Sequence, residues 1–279
     1  MGDGSVLGLS GKRVLVTGAA SGMGEATARI LGELGAEVLT LDVKQPSVAN
    51  AGYFEVDLRD PAAIEQVVDA ATADGPVERL FNCAGIAQVF PPVDVMLVNF
   101  LGMRHLTETL LPRMPNGAAI ANISSGAAMG YQQNQETCME LLAITDHAEA
   151  KAWCEANPVK IREGYSFSKE CIILWTMMRS MPLAEERQIR INCIAPGPTD
   201  TGMMPAIVQD VGQDFMDKFP KPLLGRNATP VEQAYPLIFL NSDMASIVSG
   251  VVLWTDQAFA GGLFTGQIDF SKLLAVVET

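Results

Sequence analysis

A phenol and an ammonium group stand at helical spacing in the stretch GYSFSK, residues 164–169. Tyr165 lies four residues before Lys169, so on a helix the two side chains would share one face. A free tyrosine has a pKa near ~10 and is a poor base at neutral pH, but nearby positive charge favours the phenolate. The pair is therefore predicted to exchange a proton with a substrate, although ordinary pairs on helix surfaces have the same spacing.

A hydroxyl group that could join this pair lies in the stretch NISSG, residues 122–126. Ser125 follows an apolar run, where its hydroxyl could hydrogen-bond a substrate oxygen and stabilise developing charge. A nucleophilic serine is the competing interpretation. It is disfavoured because the run lacks the GxSxG elbow and neither histidine, His105 or His147, is a plausible partner. The histidines and cysteines also lack metal-ligand spacing, so no metal site is expected.

Three glycines follow the first apolar run in the stretch TGAASGMG, residues 17–24. Gly18, Gly22 and Gly24 allow a tight turn and a close approach of the backbone to a ligand. The N-terminus of the following helix offers unpaired N–H groups and the positive end of the helix dipole. A strand, a glycine turn and a helix in this order predict a pyrophosphate-binding site for a dinucleotide.

An acidic residue, Asp42, ends the next apolar run, EVLTLD, 18 residues after Gly24. A carboxylate at this place can accept hydrogen bonds from ribose hydroxyls and would repel a 2′-phosphate. Ser21 leaves the glycine turn without a basic residue, whereas Lys44 is a weak argument for NADP. The sequence therefore favours NAD, and a solvated strand end is the alternative interpretation of Asp42.

Short apolar runs alternate with helical patterns along the whole chain. The predicted strands are residues 13–17, 37–42, 53–57, 79–82, 118–124, 190–195 and 250–254. The predicted helices are residues 22–34, 61–72, 93–111, 165–186 and 229–241. This alternation predicts an α/β fold, a single-domain, Rossmann-like, doubly wound parallel sheet of about seven strands. The domain is expected to span residues 1–279.

Two long connections depart from this rhythm, and long connections in compact domains usually have a function. Residues 131–163 are predicted to be a helical insertion between the fifth strand and the Tyr165 helix. Its apolar stripe is expected to include Met139, Leu142 and Trp153. Residues 199–228, rich in Met, Pro and Gly, are predicted to form a substrate-binding lid.

Seven motifs occur in the order that is typical of the short-chain dehydrogenase/reductase family, which the chain resembles over residues 10–260. They are TGAASGMG (17–24), VDL (56–58), NCAG (82–85), VNFLG (98–102), NISS (122–125), YSFSK (165–169) and APGPTDT (195–201). The resemblance implies four catalytic residues, Asn99, Ser125, Tyr165 and Lys169. In the family, the lysine also holds the nicotinamide ribose and the asparagine holds a water that relays the proton. The implied cofactor contacts are Gly18, Ser21, Gly22, Met23, Gly24, Asp42, Asp57, Leu58, Asn82, Ala84, Gly85, Tyr165, Lys169, Pro196, Gly197, Thr199 and Thr201.

The spacing of these motifs is unusual in two places. The chain is shorter than usual between NCAG and VNFLG and longer than usual between Ser125 and Tyr165. Both departures resemble the bacterial 3α-hydroxysteroid dehydrogenase/carbonyl reductase branch. This implies an NAD-dependent enzyme that interconverts a secondary alcohol and a ketone on a hydrophobic, steroid-like substrate. The alternatives are another small alcohol or ketone as substrate, or a non-catalytic NAD-binding protein on the same fold.

The resemblance also bears on assembly, because the Tyr165 helix and the helix over 93–111 commonly form a subunit interface in this family. An insertion at 131–163 should cover or rebuild that interface. A homo-oligomer is therefore expected, either a dimer or a tetramer, with the usual tetramer in doubt.

Composition limits the partners and the location. The net charge is −13 with scattered acidic residues, which disfavours nucleic acid and anionic membranes because both reward a basic face. No apolar run is long enough to span a membrane, and the N-terminus does not resemble a signal peptide. The five cysteines lack CxxC spacing, so reduced thiols in a cytoplasmic protein are expected.

Overall fold

The computed structural model describes residues 6–269 and contains one parallel sheet of seven strands within that range. The strands are β1 Arg13–Thr17, β2 Glu37–Asp42, β3 Gly52–Glu55, β4 Arg79–Asn82, β5 Ala119–Ile123, β6 Arg190–Pro196 and β7 Val252–Thr255. Their spatial order is β3-β2-β1-β4-β5-β6-β7, so the chain reverses its direction of winding between β1 and β4. The prediction of a doubly wound parallel sheet is confirmed, and each strand begins and ends within two residues of its expected position.

Twelve α-helices lie within the described residues. They are α1 Gly22–Glu33, α2 Pro61–Ala71, α3 Pro92–Met96, α4 Met103–Leu110, α5 Gln135–Leu142, α6 His147–Ala156, α7 Pro158–Ile161, α8 Tyr165–Arg187, α9 Met204–Val211, α10 Gln213–Lys218, α11 Pro230–Asn241 and α12 Phe259–Phe264. None of the helices in residues 6–269 combines the length and the hydropathy needed to cross a membrane.

The core has two parts, one on each face of the sheet. Side chains of α1 and α11 pack on one face, and those of α2, α4 and α8 pack on the other. Strand β1 serves both, because Val14 and Val16 belong to the first cluster and Leu15 to the second. This alternation is the expected result of a strand whose successive side chains point to opposite faces, with helices covering both.

The helix predicted over residues 93–111 differs from expectation. The structure divides it into α3, a π-helix at Leu97–Gly102 and α4. At its end, a Cβ atom added to Gly102 would lie 2.1 Å from the carbonyl oxygen of Leu58. Glycine therefore lets the widened turn approach the chain that follows β3. Single π-turns of this kind are rare and are frequent at functional sites.

The connection between β5 and α8 contains the predicted helical insertion, built from α5, α6 and α7. The expected single helical run is broken where Asp146 caps α6, its carboxylate accepting the Glu149 amide at 2.8 Å. The predicted stripe is partly wrong, since Met139 is exposed. The residues that the insertion buries are Cys138, Leu141, Leu142, Ala150, Cys154 and Ile161. The Trp153 ring stacks on Phe167 of α8, with centroids 6.2 Å apart, so the insertion covers the helix that begins at Tyr165.

The segment 199–228 is packed much less tightly than the insertion. It contains α9 and α10, and no residue of α9 is buried. Gly212 separates the two helices in the left-handed region, with φ of 85°. Leu223 and Leu224 are both exposed. Few buried contacts therefore hold this segment against the rest of the protein.

Candidate active site

The turn after β1 leaves almost no space for side chains. Gly18 has a φ of 67°, and a Cβ atom there would lie 2.7 Å from Cα of Ala84. A Cβ atom on Gly24 would lie 2.1 Å from the carbonyl oxygen of Gly18. The Thr17 hydroxyl accepts hydrogen bonds from the amides of Cys83 and Ala84, at 3.0 and 3.1 Å. The glycine turn and the NCAG turn are therefore packed backbone against backbone.

This edge of the sheet fits a dinucleotide. Helix α1 begins at Gly22, and the side chain of its N-cap residue, Ser21, makes no capping hydrogen bond. The N–H groups of the first helical turn are thus left for a ligand, and the helix dipole favours an anion there. A cavity of about 670 Å³ lies beside the turn. It is lined by Gly22, Asp200, Thr201, Gly202, Met204, Pro205, Val208, Gln213 and Pro230.

The Asp42 carboxylate lies beside the same turn. One oxygen accepts the Ala20 amide at 2.9 Å and the other accepts the Lys44 amide at 3.1 Å. The side chain is thereby held at the end of β2 and is not free in solvent, which disfavours the interpretation of Asp42 as a solvated strand end. The Lys44 side chain is exposed.

The chain after β3 carries the two residues predicted to contact adenine. The guanidinium of Arg59 hydrogen-bonds the Asp57 carboxylate at 2.6 Å and lowers the pKa of that carboxyl. Leu58 is buried, and its carbonyl faces Gly102. The pairing of Asp57 with a cation was not predicted from the sequence.

Helix α8 and the end of β5 bring the predicted acid/base group together. The Ser125 side chain lies at the Tyr165 hydroxyl, where its hydrogen bonding lowers the pKa of the phenol. The Lys169 ammonium lies 5.6 Å from the centroid of the Tyr165 ring and donates to the Ile123 carbonyl at 2.9 Å. Three residues that are up to 44 positions apart in sequence therefore meet at the carboxyl edge of the sheet.

The pKa values of this group depart from the prediction. Burial raises the pKa of the Tyr165 phenol, and the hydrogen bond from Ser125 offsets part of the rise. Positive charge from Lys169 was expected to lower the pKa of Tyr165. In the protein without a cofactor this prediction is wrong, because the ammonium lies over the ring and is directed at the Ile123 carbonyl. Burial also lowers the pKa of Lys169 to about 8, against smaller opposing effects of the Cys83 and Cys193 thiols.

Asn99 lies in the π-helix, and its side chain binds the backbone of the loop after β4. Its Oδ1 accepts the Ile86 amide at 2.8 Å, and its Nδ2 donates to the Ile86 carbonyl at 3.0 Å. A Cβ atom on Gly85 would lie 3.3 Å from Asn99 Oδ1 and 3.7 Å from Lys169 Nζ. Asn99 is thus close to Lys169, but its amide group is used to hold Ile86.

A buried polar chain connects β4 and β5 below the site. Asn82 donates to Thr107 at 3.0 Å and to Asn122 at 2.8 Å, and Asn122 donates to Thr176 at 3.0 Å. All four side chains are buried. Asn82, predicted as a cofactor contact, therefore has its amide nitrogen committed to the interior of the sheet and its flanking helices, whereas its Oδ1 is buried without a protein partner.

The segment after β6 passes close to both halves of the site. A Cβ atom on Gly126 would lie 3.3 Å from the Pro196 carbonyl, and one on Gly22 would lie 3.4 Å from Cγ2 of Thr201. The Thr199 hydroxyl donates to the Gly197 carbonyl at 2.9 Å and is turned away from the cavity. Of the two predicted threonine contacts, Thr201 lines the cavity and Thr199 does not.

One polar contact across the site was not foreseen from the sequence. The Gln88 side chain, in the loop after β4, donates from Nε2 to Asp210 of α9 at 2.9 Å. Neither residue belongs to a motif, and 122 positions separate them. Only the folded chain identifies this contact.

Comparisons with known proteins agree with this geometry. Residues 12–137 match the family model described as short chain dehydrogenase, and residues 154–259 match the model described as Enoyl-(Acyl carrier protein) reductase. The chain is 30% identical over 252 residues to a coniferyl-alcohol dehydrogenase of Pseudomonas sp. (strain HR199 / DSM 7063), covering 90% of this chain and 98% of the relative. It is 28% identical to the 3-alpha-hydroxysteroid dehydrogenase/carbonyl reductase of Comamonas testosteroni, covering 87% and 94%.

A solved structure is also similar. The crystal structure of the 3-alpha-hydroxysteroid dehydrogenase from Pseudomonas sp. B-0831 complexed with NADH superposes with a TM-score of 0.76 at 26% identity. The match covers 92% of this chain and all of that one. Together with the glycine turn and the Ser125–Tyr165–Lys169 group, these matches indicate a nicotinamide cofactor. The chain belongs to the short-chain dehydrogenase/reductase family of oxidoreductases, which act on alcohols and ketones.

Proposed function

We propose that the protein is an NAD-dependent enzyme that interconverts a secondary alcohol and a ketone by hydride transfer. The observation that carries this proposal is the meeting of Ser125, Tyr165 and Lys169 at one point of the sheet edge, where Ser125 acts on the Tyr165 phenol and the Lys169 ammonium lies 5.6 Å from the ring centroid. A non-catalytic dinucleotide-binding protein is disfavoured because such a protein would have no need to retain this group.

Held at the glycine turn, NAD would supply the hydride acceptor for the carbinol carbon, so that a secondary alcohol would become a ketone as NADH forms. Tyr165 accepts the hydroxyl proton as the carbon–hydrogen bond breaks, and it returns that proton in the reverse direction. Ser125 holds the substrate oxygen and stabilises its developing charge. Lys169, kept in place by the Ile123 carbonyl, supplies positive charge near the Tyr165 ring and a donor for the nicotinamide ribose.

The tyrosine tests this mechanism most directly. Tyr165→Phe removes the hydroxyl and keeps the ring, so kcat should fall by roughly 10²–10⁴-fold while NADH binding is retained. Activity would be followed by NADH absorbance with hydroxysteroids, coniferyl alcohol, sugar alcohols and aliphatic alcohols. Tyr235→Phe, on an exposed side chain of α11, is the matched control. A Tyr165→Phe enzyme with normal kcat would remove the residue from the mechanism.

The same panel separates the enzyme from its alternative. A wild-type protein that binds NADH but oxidises none of these alcohols, and reduces none of the matching ketones or aldehydes, would favour the non-catalytic interpretation. The two 3-alpha-hydroxysteroid dehydrogenases, from Comamonas testosteroni and Pseudomonas sp. B-0831, support a hydrophobic, steroid-like substrate. The coniferyl-alcohol dehydrogenase supports a different alcohol. We propose the steroid-like class first and another small alcohol or ketone second.

The preference for NAD over NADP rests on Asp42. Its carboxylate lies within 2.9 Å of the Ala20 amide, where it would repel a 2′-phosphate. Asp42→Ala should improve kcat/KM with NADP by about tenfold relative to NAD, since about 1.4 kcal/mol of repulsion corresponds to that factor. Glu55→Ala, an exposed acid on the neighbouring strand, is the control. A wild type that already prefers NADPH would contradict the assignment.

Two further proposals concern the segments around the site. Residues 199–228 are proposed to be the substrate-binding lid, because α9 has no buried residue and borders the cavity.

The protein is proposed to be a homo-oligomer, and a dimer is favoured over a tetramer because the insertion covers α8 near Tyr165. Light scattering of the full chain would decide between them, and a tetramer would show that the insertion does not block assembly.

A further inference from the structure

A single buried carboxylate joins both ends of the insertion. Glu170 follows Lys169 in α8 and is only 1% exposed. Asn134, which precedes α5, donates from Nδ2 to both of its oxygens, at 3.0 and 3.2 Å. Arg162, which follows α7, donates from Nη2 at 2.6 Å. The chain that leaves β5 and the chain that returns to α8 are thus held by the same side chain.

The backbone on both sides of this carboxylate is tightly packed. A Cβ atom on Gly130 would lie 2.9 Å from Glu170 Oε1, so the outgoing chain passes directly over the carboxylate. On the returning side, Arg162 has a φ of 55°, and a Cβ atom on Gly164 would lie 2.5 Å from the Pro92 carbonyl. Both paths are therefore narrow, and removing one partner would leave the buried Glu170 carboxylate incompletely paired, which is destabilising.

The joined segments carry the two residues that must meet in the active site. Ser125 lies on the outgoing chain and Tyr165 on the returning chain, with the whole insertion between them. Ser124 adds a third link, because its hydroxyl donates to the Lys169 carbonyl at 2.8 Å. A long flexible connection would otherwise allow many separations of its ends.

We propose that Glu170 is a positioning residue that fixes the distance between Ser125 and Tyr165 by clamping Asn134 and Arg162. The insertion is thereby part of the catalytic geometry and not an independent surface addition. This inference rests on the proposed oxidoreductase function, in which small displacements of positioned groups reduce the rate strongly.

The test compares variants of the clamp with a matched control. Glu170→Gln removes the charge and keeps the shape, Arg162→Ala and Asn134→Ala each remove one partner, and Arg162→Lys restores the charge. Glu155→Gln breaks an exposed ion pair with Lys151 on α6, away from the clamp, and is the control. All variants are made in the full chain and measured for kcat, KM, NADH affinity, thermal stability and the pH dependence of kcat.

We expect Glu170→Gln and Arg162→Ala to lower kcat at least tenfold and to shift the pH profile, with NADH affinity within twofold of the wild type. Arg162→Lys should recover most of the rate, and Glu155→Gln should match the wild type. Unchanged kcat and pH profile in folded Glu170→Gln would overturn the proposal, even if its melting temperature falls. If Glu170→Gln does not fold, kcat and the pH profile of Arg162→Ala and Asn134→Ala decide instead. Unchanged values in both variants would overturn the proposal.

A separate measurement distinguishes failure of the clamp from failure of the proposed function. If the wild type oxidises none of the alcohols, hydrogen exchange of residues 126–134 and 162–168 is compared between wild type and Glu170→Gln. Faster exchange in both segments supports the clamp without any activity, and unchanged exchange in either segment overturns it.

Discussion

The glycine turn and the segment 199–228 face each other across one cavity but are built differently. A methyl group on Gly24 would lie 2.1 Å from a backbone oxygen, whereas one on Gly202 would meet nothing within 4 Å. The turn is fixed by backbone packing against Ala84, and α9 has no buried residue. The glycine turn is therefore held by close packing without a ligand, whereas the segment that we propose as the lid has few buried contacts and is expected to adjust more readily.

The two glycines give the largest contrast between these regions. Gly24→Ala should abolish NADH binding or folding, because backbone atoms on both sides would have to move and the cost should exceed about 3 kcal/mol. Gly202→Ala should bind NADH within twofold of the wild type. Circular dichroism and titration of NADH fluorescence would measure both. Equal losses of folding or NADH affinity in the two variants would show that the glycine turn and the segment 199–228 do not differ in this way.

A substitution of Lys169 tests whether burial of its ammonium group lowers the free energy of unfolding. Burial lowers the pKa of Lys169 from 10.5 to about 8, which corresponds to about 3 kcal/mol of destabilisation at neutral pH. Lys169→Met should therefore lose activity and yet melt at a higher temperature than the wild type. Lys44→Met, on an exposed side chain, is the control.

The pH dependence of this effect has a definite sign. The unfolded chain holds the Lys169 proton up to about pH 10.5, and the folded chain releases it near pH 8. The wild type therefore gains stability from this group as pH rises from 8 to 10.5, and the advantage of Lys169→Met should shrink over that range. A constant difference in unfolding free energy would contradict the lowered pKa.

The smallest effect is expected at the contact between Gln88 and α9. Gln88→Ala removes an exposed hydrogen bond to Asp210, which should raise the KM of the alcohol about fivefold, or about 1 kcal/mol, with little change in kcat. Hydrogen exchange of residues 204–211 should become faster. Asn50→Ala removes only an exposed local hydrogen bond to the Val48 carbonyl and is the control. Equal KM values for the two variants would show that the Gln88 contact does not hold the segment.

Sequence reasoning reached the parts of the site that depend on backbone geometry. The strands, the glycine turn and the Ser125, Tyr165 and Lys169 group could be predicted because local spacing and strand ends determine them. The pKa of Tyr165 could not, since it depends on burial, and neither could the bonds of the Thr199 hydroxyl, which donates to the Gly197 carbonyl and accepts from the Gln233 side chain. The stripe of the insertion was partly wrong because α5 buries the face that carries Cys138, Leu141 and Leu142, which leaves Met139 exposed, and because a separate helix begins after Asp146.

The polar chain between the central strands has a consequence for how the sheet assembles. Asn82 and Asn122 are direct partners in the pairing of β4 with β5, and apolar parallel strands have few other features that distinguish one alignment from the next. A shift of β5 by one residue would turn Asn122 to the opposite face, so that Asn82 and Thr176 would each lose a buried hydrogen bond to it. The two asparagines therefore specify the register of β4 and β5. A misaligned sheet would lose hydrogen bonds in its interior and would be less stable than the native one.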